Sequence, residues 1–250
     1  MSTPICELRY NRILLKLSGE ALRGKKEFGF DSDVIKKISS QIAETQRLGV
    51  EVAVVVGGGN IFRGDLGKQW GMDKAAADYV GMLATIMNCL ILQEVLNNEF
   101  LVDARVQTAI AMPEVAEPFI RLRAIRHLRK GRVVIFGGGT GNPHVTTDTA
   151  AALRAAEIRA DAVLMAKNNV DGVYTSDPKS DPNAQKIESI SFDDVIRQGL
   201  KVMDSAAVSL CQQNNIPIIV FDFEKEGSIR KIVCGDQVGT LVGATVGGKR

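Results

Sequence analysis

Arg12-Ile13-Leu14-Leu15-Lys16-Leu17-Ser18-Gly19-Glu20 joins a short apolar run to a glycine turn. Residues 12–17 are too few for a core helix, and their apolar side chains are continuous instead of alternating. Such a run fits a strand buried on both faces, as in a parallel sheet. Four more runs of this kind follow, at residues 51–56, 132–136, 161–165 and 217–221, each bounded by Gly, Asn, Asp or Pro. Between them the spacing of apolar residues turns helical. Residues 31–48 place Val34, Ile38, Ile42 and Leu48 near one face, 74–98 is a long apolar stretch, and 147–158 and 204–214 are shorter helices. Strands alternating with helices predict an α/β protein: a three-layer αβα sandwich around a mostly parallel sheet.

The chain of 250 residues suits one large α/β domain or two small ones. Its 31 basic and 29 acidic residues leave a net charge of +2, so no overall basic excess demands nucleic acid or a membrane surface. The four cysteines, Cys6, Cys89, Cys211 and Cys234, are too scattered for a metal knuckle or a redox pair. They read as reduced thiols of a cytoplasmic protein. Residues 1–10 lack a signal-peptide core and carry Glu7 and Arg9. No uninterrupted apolar run reaches about 18 residues, so no membrane span is expected. Residues 23–30 should form an exposed loop, 170–182 a turn or hairpin followed by a loop, and 247–250 a frayed end.

Ligands of open α/β sheets sit beyond the carboxyl ends of the strands. Three glycine-dense segments leave such ends: Ser18-Gly19; Gly57-Gly58-Gly59-Asn60-Ile61-Phe62-Arg63-Gly64; and Gly137-Gly138-Gly139-Thr140-Gly141-Asn142-Pro143-His144-Val145-Thr146-Thr147-Asp148. Glycines let an anion approach backbone N–H groups without meeting a Cβ. Thr146 and Thr147 stand where the next helix begins, so one of them should cap it. Lys16 ends an apolar strand, where its amine must reach solvent or meet an anion. Arg63 can grip phosphate oxygens with two parallel hydrogen bonds. The match of residues 19–25 to a P-loop fails because Lys26 stands where a hydroxyl is needed, and no dinucleotide fingerprint, G-x-S-x-G motif or His/Cys metal site is present.

These motifs, together with Val170-Asp171-Gly172-Val173-Tyr174-Thr175-Ser176-Asp177-Pro178 and Lys201-Val202-Met203-Asp204, resemble the bacterial uridylate kinases of the amino acid kinase superfamily, in family order over roughly residues 12–243. The resemblance implies an eight-stranded, mostly parallel sheet in a single domain, 1–250, with an N-terminal UMP lobe and a C-terminal ATP lobe. It implies transfer of the γ-phosphoryl group of Mg-ATP to UMP, a homohexamer, activation by GTP and inhibition by UTP. Carried over by motif, Lys16, Leu17, Ser18, Gly19, Gly59 and Arg63 would meet ATP, with Asn168, Tyr174 and Asp177 about the adenosine. Gly58, Asp78 and the loop Thr140, Gly141, Asn142, Pro143, His144, Val145, Thr146 and Thr147 would hold UMP. Gly24, Lys25, Lys26, Glu27, Phe28 and Gly29 match the segment tied to GTP. Residues 165–170 are one residue longer than in the proteobacterial form, so the adenine contact falls on Asn168 or Lys167.

On this reading Lys16, Arg63 and Asp148 are the catalytic candidates. Lys16 would stabilise charge on the moving phosphoryl group, and Arg63 would orient donor and acceptor. Asp148 either orients Lys16 or is a helix N-terminal carboxylate favoured by the dipole, and Asp204 either assists or caps a helix. An acceptor phosphate is already ionised, so no general base is needed and His127 and His144 are read as non-catalytic. No protein group is expected to ligate the metal directly, because Mg²⁺ would be held mainly by nucleotide phosphates and water. Two rivals stay open: another phosphotransferase of the superfamily acting on a carboxylate or carbamate, and a nucleotide-sensing binding protein.

Overall fold

The computed structural model describes residues 6–176, 181, 183–200 and 202–243. The readings of Asp177, Lys201 and 247–250 fall outside them. The chain runs β1 (Arg12–Leu17), α1 (Gly19–Leu22), α2 (Ser32–Arg47), β2 (Glu51–Val56), α3 (Gly64–Gln69), α4 (Lys74–Asn98), β3 (Ala104–Thr108), β4 (Glu117–Pro118), α5 (Arg121–Arg129) and β5 (Val133–Gly137). It continues with α6 (Thr147–Ile158), β6 (Ala162–Lys167), β7 (Val173–Tyr174), β8 (Lys186–Ile187), β9 (Ser189–Ile190), α7 (Phe192–Gln198), α8 (Ser205–Gln213), β10 (Ile218–Asp222), α9 (Ser228–Val233) and β11 (Thr240–Val242).

One nine-stranded sheet has the order β4-β3-β5-β2-β1-β6-β10-β11-β9. It is parallel from β4 to β10; β11 turns antiparallel to β10 and carries β9 parallel to itself. The expected αβα sandwich is present, with nine strands where eight were expected. Part of the difference lies at the two edges, where β4 and β9 are two-residue strands. The hairpin expected within 170–182 is a separate two-stranded sheet, β7 with β8, whose second strand lies further along the chain. Strand β3 was not foreseen, because Arg105 and Gln107 interrupt its apolar pattern.

Strand alternation builds a core on each face. Ile13, Leu15, Leu17, Val52, Val54 and Val56 pack against Ile38 and Ile42 of α2, Leu92 and Leu96 of α4 and Ile232 of α9. On the other face, Leu14, Val55, Phe136, Val163 and Met165 meet Leu128 of α5, Ala151 and Ala155 of α6 and Val208 of α8. Asp31 caps α2 through the Asp33 and Val34 amides, and Thr146 caps α6 through the Thr149 amide, as its position in the sequence predicts.

One expectation is corrected. Cys6 and Cys234 form a disulfide across 228 residues of sequence, so they are not reduced thiols. Sequence distance conceals that the segment before β1 returns to the end of α9, where the Arg9 and Tyr10 amides also bond the Val233 carbonyl. Cys89 and Cys211 are free and buried, and burial pushes each thiol up to about 12. By length and composition alone α4 is long and apolar enough to cross a membrane, as a core helix of this length also is. It packs here against α2, α3, β3 and β5.

Candidate active site

The strands that lead into the glycine loops, and the strand ending at Lys167, are neighbours in the order β5-β2-β1-β6. All run parallel, so their carboxyl tips lie along one edge, spanning about 14 Å at three strand spacings of roughly 4.8 Å. The first two loops touch. The Gly57 amide donates to the Leu17 carbonyl at 3.0 Å. A Cβ on Gly19 would lie 2.5 Å from both Gly57 O and Gly59 N, so only glycine fits there. Leu17 is fully buried in the core, which leaves only its backbone at the site. Ser18 is the N-cap of α1 and accepts from the Ala21 amide.

The second and third loops are held by one helix. Asp78, Gly81, Thr85 and Asn88 recur on α4 at helical spacing. The Asp78 carboxylate accepts from the His144 amide at 2.8 Å, and Lys74 reaches the same oxygen. A Cβ on Gly58 would meet Gly81 O at 2.8 Å, so the loop lies directly on the helix backbone. Thr85 Oγ1 accepts from the Gly138 amide at 2.8 Å. Asn88, fully buried, donates to the Gly57 carbonyl at 2.6 Å and exchanges amide hydrogen bonds with Asn60 at 2.8 and 3.0 Å. Thr85, Asn88 and Asn60 were missed as site residues; for Thr85 and Asn88 the signal available was polar residues spaced along the otherwise apolar α4, whereas Asn60 lies in the second glycine loop. Within the third loop Gly138, Gly139, Gly141 and His144 all have positive φ. The segment Thr140 to Thr147 winds outward from there, with the Asn142 amide on Thr140 Oγ1.

Lys16 is 8% exposed, and its Nζ lies 2.7 Å from Asp148 Oδ1 at the start of α6. Asp148 is thus both a helix N-terminal carboxylate and the partner of Lys16. Lys167 ends β6 close by and donates to the Val202 carbonyl at 3.1 Å. Asp204 caps α8 through the Ala207 amide and also accepts from the Thr146 and Thr149 hydroxyls, which joins α8 to the start of α6. Burial alone would raise the Asp204 carboxyl, but these donors outweigh it and hold it below the usual carboxylate range. The same balance lowers Asp78, where the His144 amide and Lys74 outweigh burial. Arg63 does not stand free: it pairs with Glu20 at 2.8 Å while its Nε donates to the Gly59 carbonyl.

The loop after β6 is built differently. The Asn169 amide donates to Asp222, and the Tyr174 hydroxyl donates to Asp171 at 2.6 Å. Lys186 and Lys225 converge on the other Asp171 oxygen. These donors, led by Tyr174, hold the Asp171 carboxyl far below its usual range. Asn168 begins this loop at the tip next to Lys16, while the Tyr174 hydroxyl is committed to Asp171. The loop from Gly24 to Gly29 is exposed, as foreseen, and meets the second glycine loop through two hydrogen bonds between Gly29 and Asn60.

Among the described residues no group of three or more His, Cys, Asp or Glu side chains could hold a metal ion. Asp148 is engaged by Lys16, and Asp204 by two hydroxyls and an amide.

A parallel sheet whose carboxyl edge gathers glycine loops around a lysine–carboxylate pair defines a phosphate-handling α/β protein. Residues 11–222 match the amino acid kinase family, and the chain belongs to that family. It is similar to the UMP kinase of Bacillus anthracis, at 47% identity with a TM-score of 0.93, covering 94% of this chain and 97% of that one. The UMP kinase of Ureaplasma parvum shares 40% identity with a TM-score of 0.89, over 94% and 100% of the two chains. The uridylate kinase of Archaeoglobus fulgidus shares 30% with a TM-score of 0.73, over 92% and 99%.

Proposed function

We propose that this chain is a UMP kinase that transfers the γ-phosphoryl group of ATP to the phosphate of UMP, giving UDP and ADP. The observation that carries the reading is the near full-length likeness to the Bacillus anthracis UMP kinase. The tip geometry supports it, because backbone amides and a lysine converge where two phosphate tails would meet.

In the proposed reaction an oxygen of the UMP phosphate attacks the γ-phosphorus. A new P–O bond forms as the bond from that phosphorus to the β–γ bridging oxygen breaks, and the departing ADP takes the electron pair. A dianionic UMP needs no proton removed. Lys16, fixed by Asp148, compensates the charge on the transferring group. Asp148 is a positioning residue in this scheme, and Arg63 must leave Glu20 to reach a phosphate. The residues fit a Mg²⁺ ion carried by the phosphates and water better than one held by protein, since both nearby carboxylates are engaged. Such an ion would neutralise part of the triphosphate charge.

The loop Thr140–Thr147, with Gly58 and Asp78, is assigned to UMP. Residues Lys16 to Gly19, Gly59, Arg63, Asn168, Tyr174 and Asp177 are assigned to ATP. The chain is then one domain with an acceptor lobe and a donor lobe. The reading extends to a cytoplasmic homohexamer activated by GTP and inhibited by UTP. Two features support regulation and assembly: the Gly29–Asn60 link joins the proposed GTP segment to a glycine loop, and Tyr79, Leu83 and Met87 leave an exposed apolar stripe on α4.

The test is a phosphotransfer assay with purified protein and ATP across UMP, CMP, acetylglutamate, glutamate, aspartate and carbamate, with and without GTP. UDP formation from UMP is expected to dominate. Nucleotide binding without turnover, or preference for a carboxylate, would overturn the assignment.

A further inference from the structure

We propose that Lys167 is a second phosphate-binding amine of the transfer site, holding the leaving side of the donor triphosphate. The inference rests on the phosphotransfer reading above and adds a residue to it.

The register sets where Lys167 stands. Lys16 of β1 aligns with Met165 of β6, and Lys167 follows two residues later, on the same face of the sheet as Lys16. Met165 on that face belongs to the core beneath α6 and α8, and at the adjacent tips Lys16 is buried while Lys167 is half-buried. They share one carboxylate. Asp148 pairs with Lys16, whereas Lys167 is left with a single neutral acceptor, the Val202 carbonyl. Among the described residues no carboxylate forms an ion pair with Lys167.

An ammonium in such a place ordinarily requires an anion. Burial, and then the charge of Lys16, push the Lys167 amine below the usual lysine range, with Asp148 pulling the other way. The other nearby carboxylates, Asp204 and the Asp222 that stands opposite Lys167 in the sheet, are held by their own hydroxyl and amide donors, so Lys167 lacks a paired anion and a polyphosphate supplies one. Strand order gives the two amines different shares of it. Lys16 lies between the glycine loops and β6, while Lys167 lies on the side of the Asn168–Tyr174 loop. As the γ-phosphorus leaves the bridging oxygen, negative charge accumulates on the β-phosphate of ADP. Lys167 meets that charge and keeps its proton throughout.

Lys167→Gln keeps a donor for the Val202 carbonyl and removes the charge; Lys167→Arg keeps the charge. Equilibrium binding of the full-length protein to the β,γ-imido analogue of ATP and to AMP needs no acceptor, so it is independent of whether UMP is the substrate. The Gln variant should bind the analogue about ten-fold more weakly and AMP unchanged. Its turnover should fall roughly 10- to 100-fold, with partial rescue in the Arg variant. Equal analogue affinity in wild type and the Gln variant would overturn the proposal. So would equal weakening of both ligands with a lowered unfolding midpoint, which marks a packing role. If the Gln variant does not fold, an Arg variant with normal analogue binding upholds the role of the charge, and one that folds yet binds AMP but not the analogue refutes it. Failure of wild type to phosphorylate UMP would remove the acceptor assignment and leave this binding comparison standing.

Discussion

The glycine loops after β2 and β5 and the loop after β6 leave strands along one sheet edge but are held by different means. The first two lie on α4, where Thr85 takes the Gly138 amide and Asn88 takes the Gly57 carbonyl, both in the interior. The third is gathered by Asp171 with Tyr174, Lys186 and Lys225, groups that stay in contact with solvent. Buried, fully partnered amides and hydroxyls allow one geometry, because any departure strands a polar group. Exposed ion pairs contribute little and re-form easily. One side of the site is thus preset, and the other can adapt to what it binds.

The most severe way to probe the preset side is at its charge. Lys16→Ala should lower turnover by roughly 10²–10³-fold, far more than it weakens UMP binding, as steady-state kinetics would reveal. Next, Asn88→Ala leaves the Gly57 carbonyl and the Asn60 amide without their partner. Urea unfolding should show a loss of about 2 to 3 kcal/mol, with catalysis impaired in the molecules still folded. An unchanged midpoint would mean the loops do not depend on α4. Asp78→Asn keeps an acceptor for the His144 amide but drops the charge; the Michaelis constant for UMP should rise about ten-fold, or roughly 1.4 kcal/mol. The contrast is sharpest at Lys225→Ala, which should shift stability by no more than about 0.5 kcal/mol. Acid completes the comparison. Asp171 has a folded pKa below its unfolded value, so its contribution is present above the ordinary carboxylate pKa near ~4 and is lost as pH falls through the folded value. Stability followed by circular dichroism should hold level down to about pH 5, and Asp171→Asn should flatten the acid limb below it.

The readable part of this molecule was its centre. Strands β1, β2, β5, β6 and β10 are buried on both faces and therefore continuous in apolar residues. β3 borders the edge strand β4, carries Arg105 and Gln107, and loses that pattern. The two-residue strands at the rims have no periodicity to find. Among site residues, those tied to glycine chemistry or a stranded charge stood out: Lys16, Gly19, Gly58 and the 137–148 loop. Thr85, Asn88, Asn60 and Glu20 did not, because their partners are distant in sequence and only the fold brings them together. The Cys6–Cys234 pair failed for the same reason.

The position of β1 has a consequence for how the chain is made. It leaves the ribosome before the other strands of this sheet, yet it ends in the middle of the sheet, between β2 and β6. Its second neighbour emerges only after residue 162. At about 5–20 residues per second, that edge stays open for several seconds or more during synthesis. Nascent chains stalled before β6 should therefore be aggregation-prone and chaperone-dependent, while those released after β10 should not.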